Sequence, residues 1–376
     1  MTTNESSRVE TIHALTRDAM ASRRRPIRIM EICGTHTMSI ARSGLRDLLP
    51  AELELISGPG CPVCVTDQSY MDQAVYLARH EQRPIIATYG DMIRVPGRRG
   101  SLAEARAKGA SIDVVYSADQ AVDIAIRHPA RAVVFLGVGF ETTTPPTALA
   151  VRRARQEGVT NFSVLTAHKL ILPAMRALLS GGEVQVDGFL CPGHVSVILG
   201  YGAFEDIARD YRRPCVVAGF DPSQILAAVE AILRQLAAGQ PQASSVYPAV
   251  RRDGNAAALK LMEEVFVVGD QAWRALGVIP ASGLNLRPQW AEYDAAKRFD
   301  LPPMESYEMP GCRCGNVLCG LAHPAECSLF GRQCTPRDPV GPCMVSSEGA
   351  CAAAFKYGRN RPSRVGSANA GTGKGP

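Results

Sequence analysis

Seven of the twelve cysteines in this 376-residue chain fall within residues 312–351: Cys312, Cys314, Cys319, Cys327, Cys334, Cys343 and Cys351. Thiolates bind soft metals, form disulfides and carry redox equivalents, so this stretch holds the densest chemistry in the sequence. Gly311, Gly315, Gly320, Gly331, Gly341 and Gly349 stand among them, with Pro324, Pro336, Pro339 and Pro342. Apolar periodicity is nearly absent, so core burial alone does not order the segment. A metal, an iron–sulfur cluster or disulfides must cross-link it. The spacing C-x-C-x4-C-x7-C-x6-C-x8-C-x7-C lacks the paired C-x2-C of zinc ribbons and the C-x2-C-x2-C run of bacterial ferredoxins. The thiols exceed the four that one cubane cluster takes. A cluster plus a redox disulfide would leave one over.

Four further motifs could carry chemistry. In Cys33-Gly34-Thr35-His36-Thr37 the cysteine follows an apolar run and precedes an amphipathic one. Backbone N–H groups at a helix start favour the thiolate, and His36 adds a ligand or a proton acceptor. The plain alternative is a buried cysteine beside a capping threonine. Gly58-Pro59-Gly60-Cys61-Pro62-Val63-Cys64 holds a C-x-x-C pair. Its thiols can close a small disulfide ring, and a helix expected from near Thr66 would depress the pKa of one of them. Half of a zinc site is the other reading. In the stretch from Gly137 to Pro146, Gly137 and Gly139 look like part of a dinucleotide turn. The third glycine and the distal acidic residue are missing, so the Thr run before Pro145 reads better as a helix cap. Glu141 remains a candidate polar group at a cleft. Cys191-Pro192-Gly193-His194-Val195-Ser196 puts His194 at another strand end.

The elements that must position these residues alternate strand, turn and helix from about residue 26 to 238. Strands are expected at 27–32, 53–57, 84–89, 112–116, 132–138, 162–165, 188–190 and 215–218, many of them continuous β-branched runs suited to parallel sheets. Helices are expected at 68–80, 118–127, 172–179 and 223–236. The fold class is α/β, with two similar parallel-sheet lobes around a cleft and a break near Pro129. The motifs sit at strand ends, where open α/β sheets bind ligands. Beyond residue 240 the pattern predicts a linker over 241–248, a helix over 256–267 and a loop over 280–286. A disordered tail is expected over 358–376.

Bulk composition excludes several classes. The chain is 46% hydrophobic and 20% charged, and 41 basic minus 36 acidic residues leaves +5. Part of that excess lies in the tail, at Arg359, Arg361, Arg364 and Lys374. No basic stripe is interleaved with aromatics, so nucleic acid is not an expected partner. The start lacks the basic and apolar regions of a signal peptide, and no apolar run nears the ~20 residues of a membrane span. A cytoplasmic location is expected, where dense cysteine reads as metal binding or redox chemistry.

Taken together, Cys33-Gly34-Thr35-His36-Thr37, Gly58-Pro59-Gly60-Cys61-Pro62-Val63-Cys64, Gly139-Phe140-Glu141-Thr142-Thr143-Thr144-Pro145 and Pro192-Gly193-His194-Val195-Ser196 resemble the HypD family of hydrogenase maturation factors. So does the block from Pro310 to Tyr357, with Cys312-Arg313-Cys314-Gly315 and Pro342-Cys343-Met344-Val345-Ser346. The resemblance implies a scaffold with thiol redox activity on which the Fe(CN)2(CO) unit of [NiFe]-hydrogenases is assembled. Its implied partners are a HypC-type small chaperone, HypE as the source of cyanide ligands and, indirectly, the hydrogenase large subunit. It implies a lobe over 27–130, a second over 131–240, and an iron–sulfur domain from 1–26 and 241–357. Cys33 would anchor the iron. Cys61 and Cys64 would be a redox pair in the cleft. His36 is expected to orient or protonate the departing group, and Glu141 and His194 to line the cleft. Cys312, Cys327, Cys334 and Cys351 would ligate a [4Fe-4S] cluster beside a second thiol pair, Cys314 and Cys343. Cys319 would be the spare thiol. Two other readings stay open: a cluster-dependent thiol–disulfide reductase and a zinc-stabilised binding module.

Overall fold

The structure, a computed structural model, describes residues 3–21 and 23–358. Its strands are β1 (Ile27–Glu31), β2 (Leu53–Ser57), β3 (Ile85–Thr88), β4 (Ile112–Val114), β5 (Val133–Gly139), β6 (Phe162–His168), β7 (Gly188–Cys191), β8 (Cys215–Val217), β9 (Ala243–Ser245), β10 (Phe266–Trp273) and β11 (Gly277–Leu286). The first eight arise where the apolar runs put them. Every residue of β5 is buried, as a parallel strand covered on both faces requires. Helix starts are fixed by side-chain caps: Ser117 accepts from the Gln120 N–H ahead of Ala118–Arg127, and Asp67 accepts from the Ser69 N–H ahead of Gln68–Ala78.

The strands form two parallel sheets. One has the order β2-β1-β7-β8-β9 and the other β4-β3-β5-β6. With the loop-rich cysteine segment, this is the α/β architecture of two parallel-sheet lobes expected from the sequence.

The expected boundaries need correction. The chain does not change lobes at residue 130. It lays down β1 and β2, builds the whole second sheet, then returns to set β7 on the free side of β1, with Ile29 opposite Gly188 and Glu31 opposite Leu190. Strands of both sheets share one buried pattern, so periodicity carries no information on sheet membership. The described residues of the N-terminal helix do not share the core of the cysteine segment either. The helix Thr3–Met20 packs on the helix Pro222–Ala238, and Ile12 shares a core with Ile27 and Ile29. Met262, Phe266, Leu284 and Trp290 pack into the second lobe with Phe135 and Phe162.

Three local expectations also change. The 241–248 linker contains β9, the 280–286 loop lies inside β11, and the helix begun at Ala256 stops at Val265, where β10 takes over. β10 and β11 pair antiparallel as a hairpin. The expected tail lies outside the described residues beyond Gly358. Among the described residues, no helix is long and apolar enough to cross a membrane.

Candidate thiol and metal site

Parallel strands end on one edge of a sheet, and that edge gathers the motifs of the first lobe. Cys33 follows β1 and is the N-cap of the helix Gly34–Ser43. Cys61 follows β2 and is the N-cap of the short helix Pro62–Val65. The two turns touch: the Gly34 N–H donates to the Gly60 carbonyl at 3.1 Å. A Cβ on Gly60 would lie 2.2 Å from the Cys33 nitrogen, so only glycine permits this approach. Cys61 and Cys64 are joined as a disulfide.

Cys33 is buried, and this changes the expected electrostatics. Burial first, then the negative charge of Glu348, push its thiol up to about 11, although the N–H groups of Thr35 and His36 pull the other way. The helix start alone therefore does not make Cys33 a free thiolate. Its proton must leave when a metal binds.

His36 is fully buried, and its Nε2–H donates to the carbonyls of Gly219 (2.9 Å) and Ala218 (3.3 Å) after β8. Those acceptors fix the tautomer, leaving Nδ1 as a lone pair with no partner. Burial lowers the pKa of His36 to about 4, so the ring is neutral. His194 is exposed and stacks on Phe220 at 4.2 Å, and Phe220 in turn lies 5.1 Å from His36. Both histidine rings thus lie against one phenyl ring.

Glu141 sits in the second lobe. Its Oε1 accepts the Ile171 N–H at 2.9 Å, at the start of the helix Ile171–Ser180. Burial raises its pKa to about 7. Among the described residues no hydrogen bond joins it to Cys33, Cys61 or Cys64. The glycines of that motif serve packing: a Cβ on Gly139 would strike Thr143, and one on Gly137 would strike His168. Thr143 takes the N-cap position of the helix Thr144–Gln156, but its hydroxyl donates to the Phe140 carbonyl and makes no cap bond.

The cysteine segment reaches this edge through residues 346–348. Ser346 Oγ lies 3.3 Å from Cys61 Sγ. Ser346 Oγ and the Ser347 N–H and hydroxyl donate to one oxygen of Asp91, which follows β3 in the other lobe. Glu348 accepts from the Thr35 hydroxyl and lies close against Gly34. One short loop therefore touches the Cys33 turn, the Cys61–Cys64 pair and the second lobe. Asp91 and Glu348 carried no motif signal in the sequence. Docking of distant segments creates their positions.

Behind that loop, the helix Pro342–Val345 carries Cys343, joined as a disulfide to Cys314. That disulfide borders a small cavity also lined by Cys312, Cys327, Cys334 and Cys351, with Leu329, Phe330 and Met344 as apolar wall. All four of these cysteines are unpaired. Burial and the other three sulfurs push the Cys351 thiol up, and burial with Cys327 and Cys334 does the same for Cys312. A Cβ on Gly341 would lie 2.7 Å from Cys312 Sγ. Cys319 is absent from the cavity wall; it is buried beside the next turn, whose Gly320 packs on Met30 and Ile56. Among the described residues, no three His, Cys, Asp or Glu side chains are grouped to hold a single metal ion. Four soft donors around one apolar-walled cavity suit a cluster in which each iron takes one thiolate.

The fold and site define a two-lobed α/β protein in which a short loop joins a sheet-edge thiol site to a cysteine-lined cavity. Residues 7–358 match the family model HypD, described as the hydrogenase formation hypA family. The chain is 46% identical to hydrogenase maturation factor HypD2 of Bradyrhizobium diazoefficiens, over 91% of this chain and 92% of that protein. It is 46% identical to hydrogenase maturation factor HypD of Cupriavidus necator, over 88% and 89%. To the factor of that name in Escherichia coli it is 44% identical, over 89% and 90%. The chain belongs to the HypD family of hydrogenase maturation factors.

Proposed function

We propose that this chain is the scaffold on which the Fe(CN)2(CO) unit of [NiFe]-hydrogenases is put together in the cytoplasm. Cys33 holds the iron cargo through its sulfur, a soft ligand suited to low-spin iron. A HypC-type chaperone shares the iron, and a HypE-type protein delivers the cyanide ligands. His36, on the same turn, presents a neutral Nδ1 lone pair without a partner to the proposed site. His194, exposed at the same edge, faces the arriving partner.

Cys312, Cys327, Cys334 and Cys351 would hold a [4Fe-4S] cluster in the cavity they line. When bound, such a cluster supplies electrons one at a time. The disulfides Cys314–Cys343 and Cys61–Cys64 store two: reduction opens the S–S bond, takes up two electrons and two protons, and leaves two thiols.

The observation that carries this reading is the loop 346–348, which brings Cys61–Cys64 to the segment bearing Cys343 and both to the Cys33 turn. A free-standing thiol reductase has no use for a buried third cysteine at that junction. Metal and sulfide analysis after anaerobic reconstitution tests the cluster: iron and sulfide in equal amounts, four of each per chain, support it. Stoichiometric zinc alone in the active protein would favour the zinc-stabilised module.

A further inference from the structure

The hydroxyl of Ser346 stands between the Cys61–Cys64 disulfide and a carboxylate of the other lobe, and its hydrogen bonds fix which way it points. A serine hydroxyl has one hydrogen to give and two lone pairs to receive with. The hydrogen goes to Asp91 Oδ2 at 3.2 Å. One lone pair takes the Glu348 N–H at 3.2 Å. The other is left for Cys61 Sγ, 3.3 Å away. The same Asp91 oxygen takes the Ser347 N–H and the Ser347 hydroxyl, both at 2.8 Å, so the whole loop is anchored on it.

In the disulfide Cys61 carries no hydrogen, and its sulfur and the hydroxyl oxygen only touch. Reduction opens the S–S bond, takes in two electrons and two protons and leaves two thiols. The new hydrogen on Cys61 then meets an acceptor already in place. A thiolate there would face oxygen lone pairs with a carboxylate behind them, because Asp91 holds the hydroxyl's own hydrogen. A hydrogen bond given by the neutral form and not returned to the charged form favours the neutral form. Burial acts in the same direction, as Cys61 and Ser346 are both buried. The Cys64 N–H, 3.2 Å from Cys61 Sγ, pulls the other way. The remaining titratable and charged groups around Cys61 come from several elements. Cys64 shares its helix, and Cys33 and His36 lie across the Gly34–Gly60 contact. Glu348 belongs to the loop, and Cys343, bonded to Cys314, to the helix Pro342–Val345. Arg274 donates to the Thr66 carbonyl past the helix end. β5, also packed on that helix, has no titratable side chain.

We propose that Asp91 is a positioning residue for the redox pair: by holding the Ser346 hydroxyl it keeps reduced Cys61 in its thiol form. This rests on the reading of Cys61 and Cys64 as a redox pair beside the iron-holding Cys33. A thiol is a weaker ligand and nucleophile than a thiolate. The reduced pair therefore stores its electrons without competing with Cys33 for iron. The three residues come from the turn after β2, the cysteine segment and the turn after β3, so this control exists only while the loop 346–348 is docked between the lobes.

The test is the pH dependence of Cys61 alkylation by iodoacetamide in the full chain, kept anaerobic and reduced with a phosphine, with the label located by peptide mass mapping. The proteins compared are wild type, Asp91→Asn and Asp91→Ala. Asp91→Asn keeps an acceptor for the hydroxyl and loses the charge. Asp91→Ala loses both and frees the hydroxyl to turn to the thiolate. The midpoint should fall in that order, by about one pH unit in Asp91→Ala, or about tenfold more thiolate at a fixed pH below the midpoint. A merely loosened loop would raise the rate at every pH and leave the midpoint in place. That result, or equal midpoints in all three proteins, would overturn the proposal. If Asp91→Ala fails to fold, Asp91→Asn decides: a lowered midpoint supports the proposal and a wild-type midpoint overturns it. Failure of oxidised wild type to yield a Cys61–Cys64 linkage would remove the redox reading instead. The midpoints, taken on reduced chains, decide the role of Asp91 in either case.

Discussion

The Cys33 turn and the 312–351 segment both place cysteines in buried positions, but by opposite means. Around Cys33 the order comes from apolar burial: β1, β2 and β7 form a continuous core, and the reactive residues are what the sheet edge presents. In the cysteine segment the regular elements are short. The helices Cys314–Leu318 and Pro342–Val345 span five and four residues, too few to be stable alone. There the Cys314–Cys343 disulfide supplies one cross-link, and on the proposed reading a cluster supplies the rest. A site set on a sheet survives the loss of its reactive side chain, whereas a site built from its own ligands does not.

That contrast is tested most strongly at the ligands. Replacing Cys312, Cys327, Cys334 or Cys351 by Ala should abolish cluster uptake and loosen the segment to proteolysis, while Cys319→Ala leaves iron content unchanged. Loss of iron in Cys319→Ala, with retention in one of the four, would redraw the ligand set. On the other side of the comparison, Cys33→Ala should leave the denaturation midpoint within about 1 kcal/mol of wild type, because it removes one small group.

The next largest effects fall on two glycines. Gly60→Ala drives a methyl into the Cys33 backbone and should cost about 3 kcal/mol or more, seen in denaturant unfolding. Gly341→Ala presses on Cys312 Sγ in a segment with less core behind it. It should reduce cluster retention more than global stability. A Gly341→Ala protein with full, stable iron content would contradict the tight pocket wall.

Glu141 gives a pH-dependent test in the second lobe. Its folded pKa, about 7, lies above the usual 4.5, so protonation favours the fold. That stabilisation is complete below pH 4.5 and is lost as pH rises through 7. Glu141→Gln keeps an acceptor for the Ile171 N–H and removes the charge. Relative to wild type it should gain up to ~3 kcal/mol between pH 4.5 and pH 8. Unfolding curves for the two proteins that stay parallel over that range would show that the carboxyl is not held neutral. The smallest effect is expected from Ser346→Ala, about 1 kcal/mol from lost hydrogen bonding to Asp91. It should leave Cys33 in place while speeding alkylation of reduced Cys61.

Much of this was legible in the sequence. Eight strands, the two-lobe α/β class and the cysteine motifs at strand ends follow from apolar runs and residue type. The hairpin did not. β11 contains Pro280 and Gly283, residues that argue against a strand, and in the turn before it Ala275 takes a positive φ as well as Gly277. β9 is three residues long and flanked by prolines. Lobe membership was hidden because β7 pairs with β1 across some 150 residues, and nothing in a strand's own pattern names its neighbour. Asp91 and Glu348 were invisible for the same reason: each acquires its place from a segment distant in sequence.

The central claim is that Cys33 holds the iron while the cysteine segment holds its own cluster. The direct measurement is the infrared spectrum, in the cyanide and CO stretching region, of the chain purified anaerobically with the proposed HypC-type chaperone, as wild type and as Cys33→Ser. Serine keeps size and polarity but offers a hard oxygen to a metal that prefers sulfur. Both bands should appear in wild type and vanish in Cys33→Ser, with the iron of the cysteine segment retained. Cyanide and CO bands of wild-type intensity in Cys33→Ser would contradict the account.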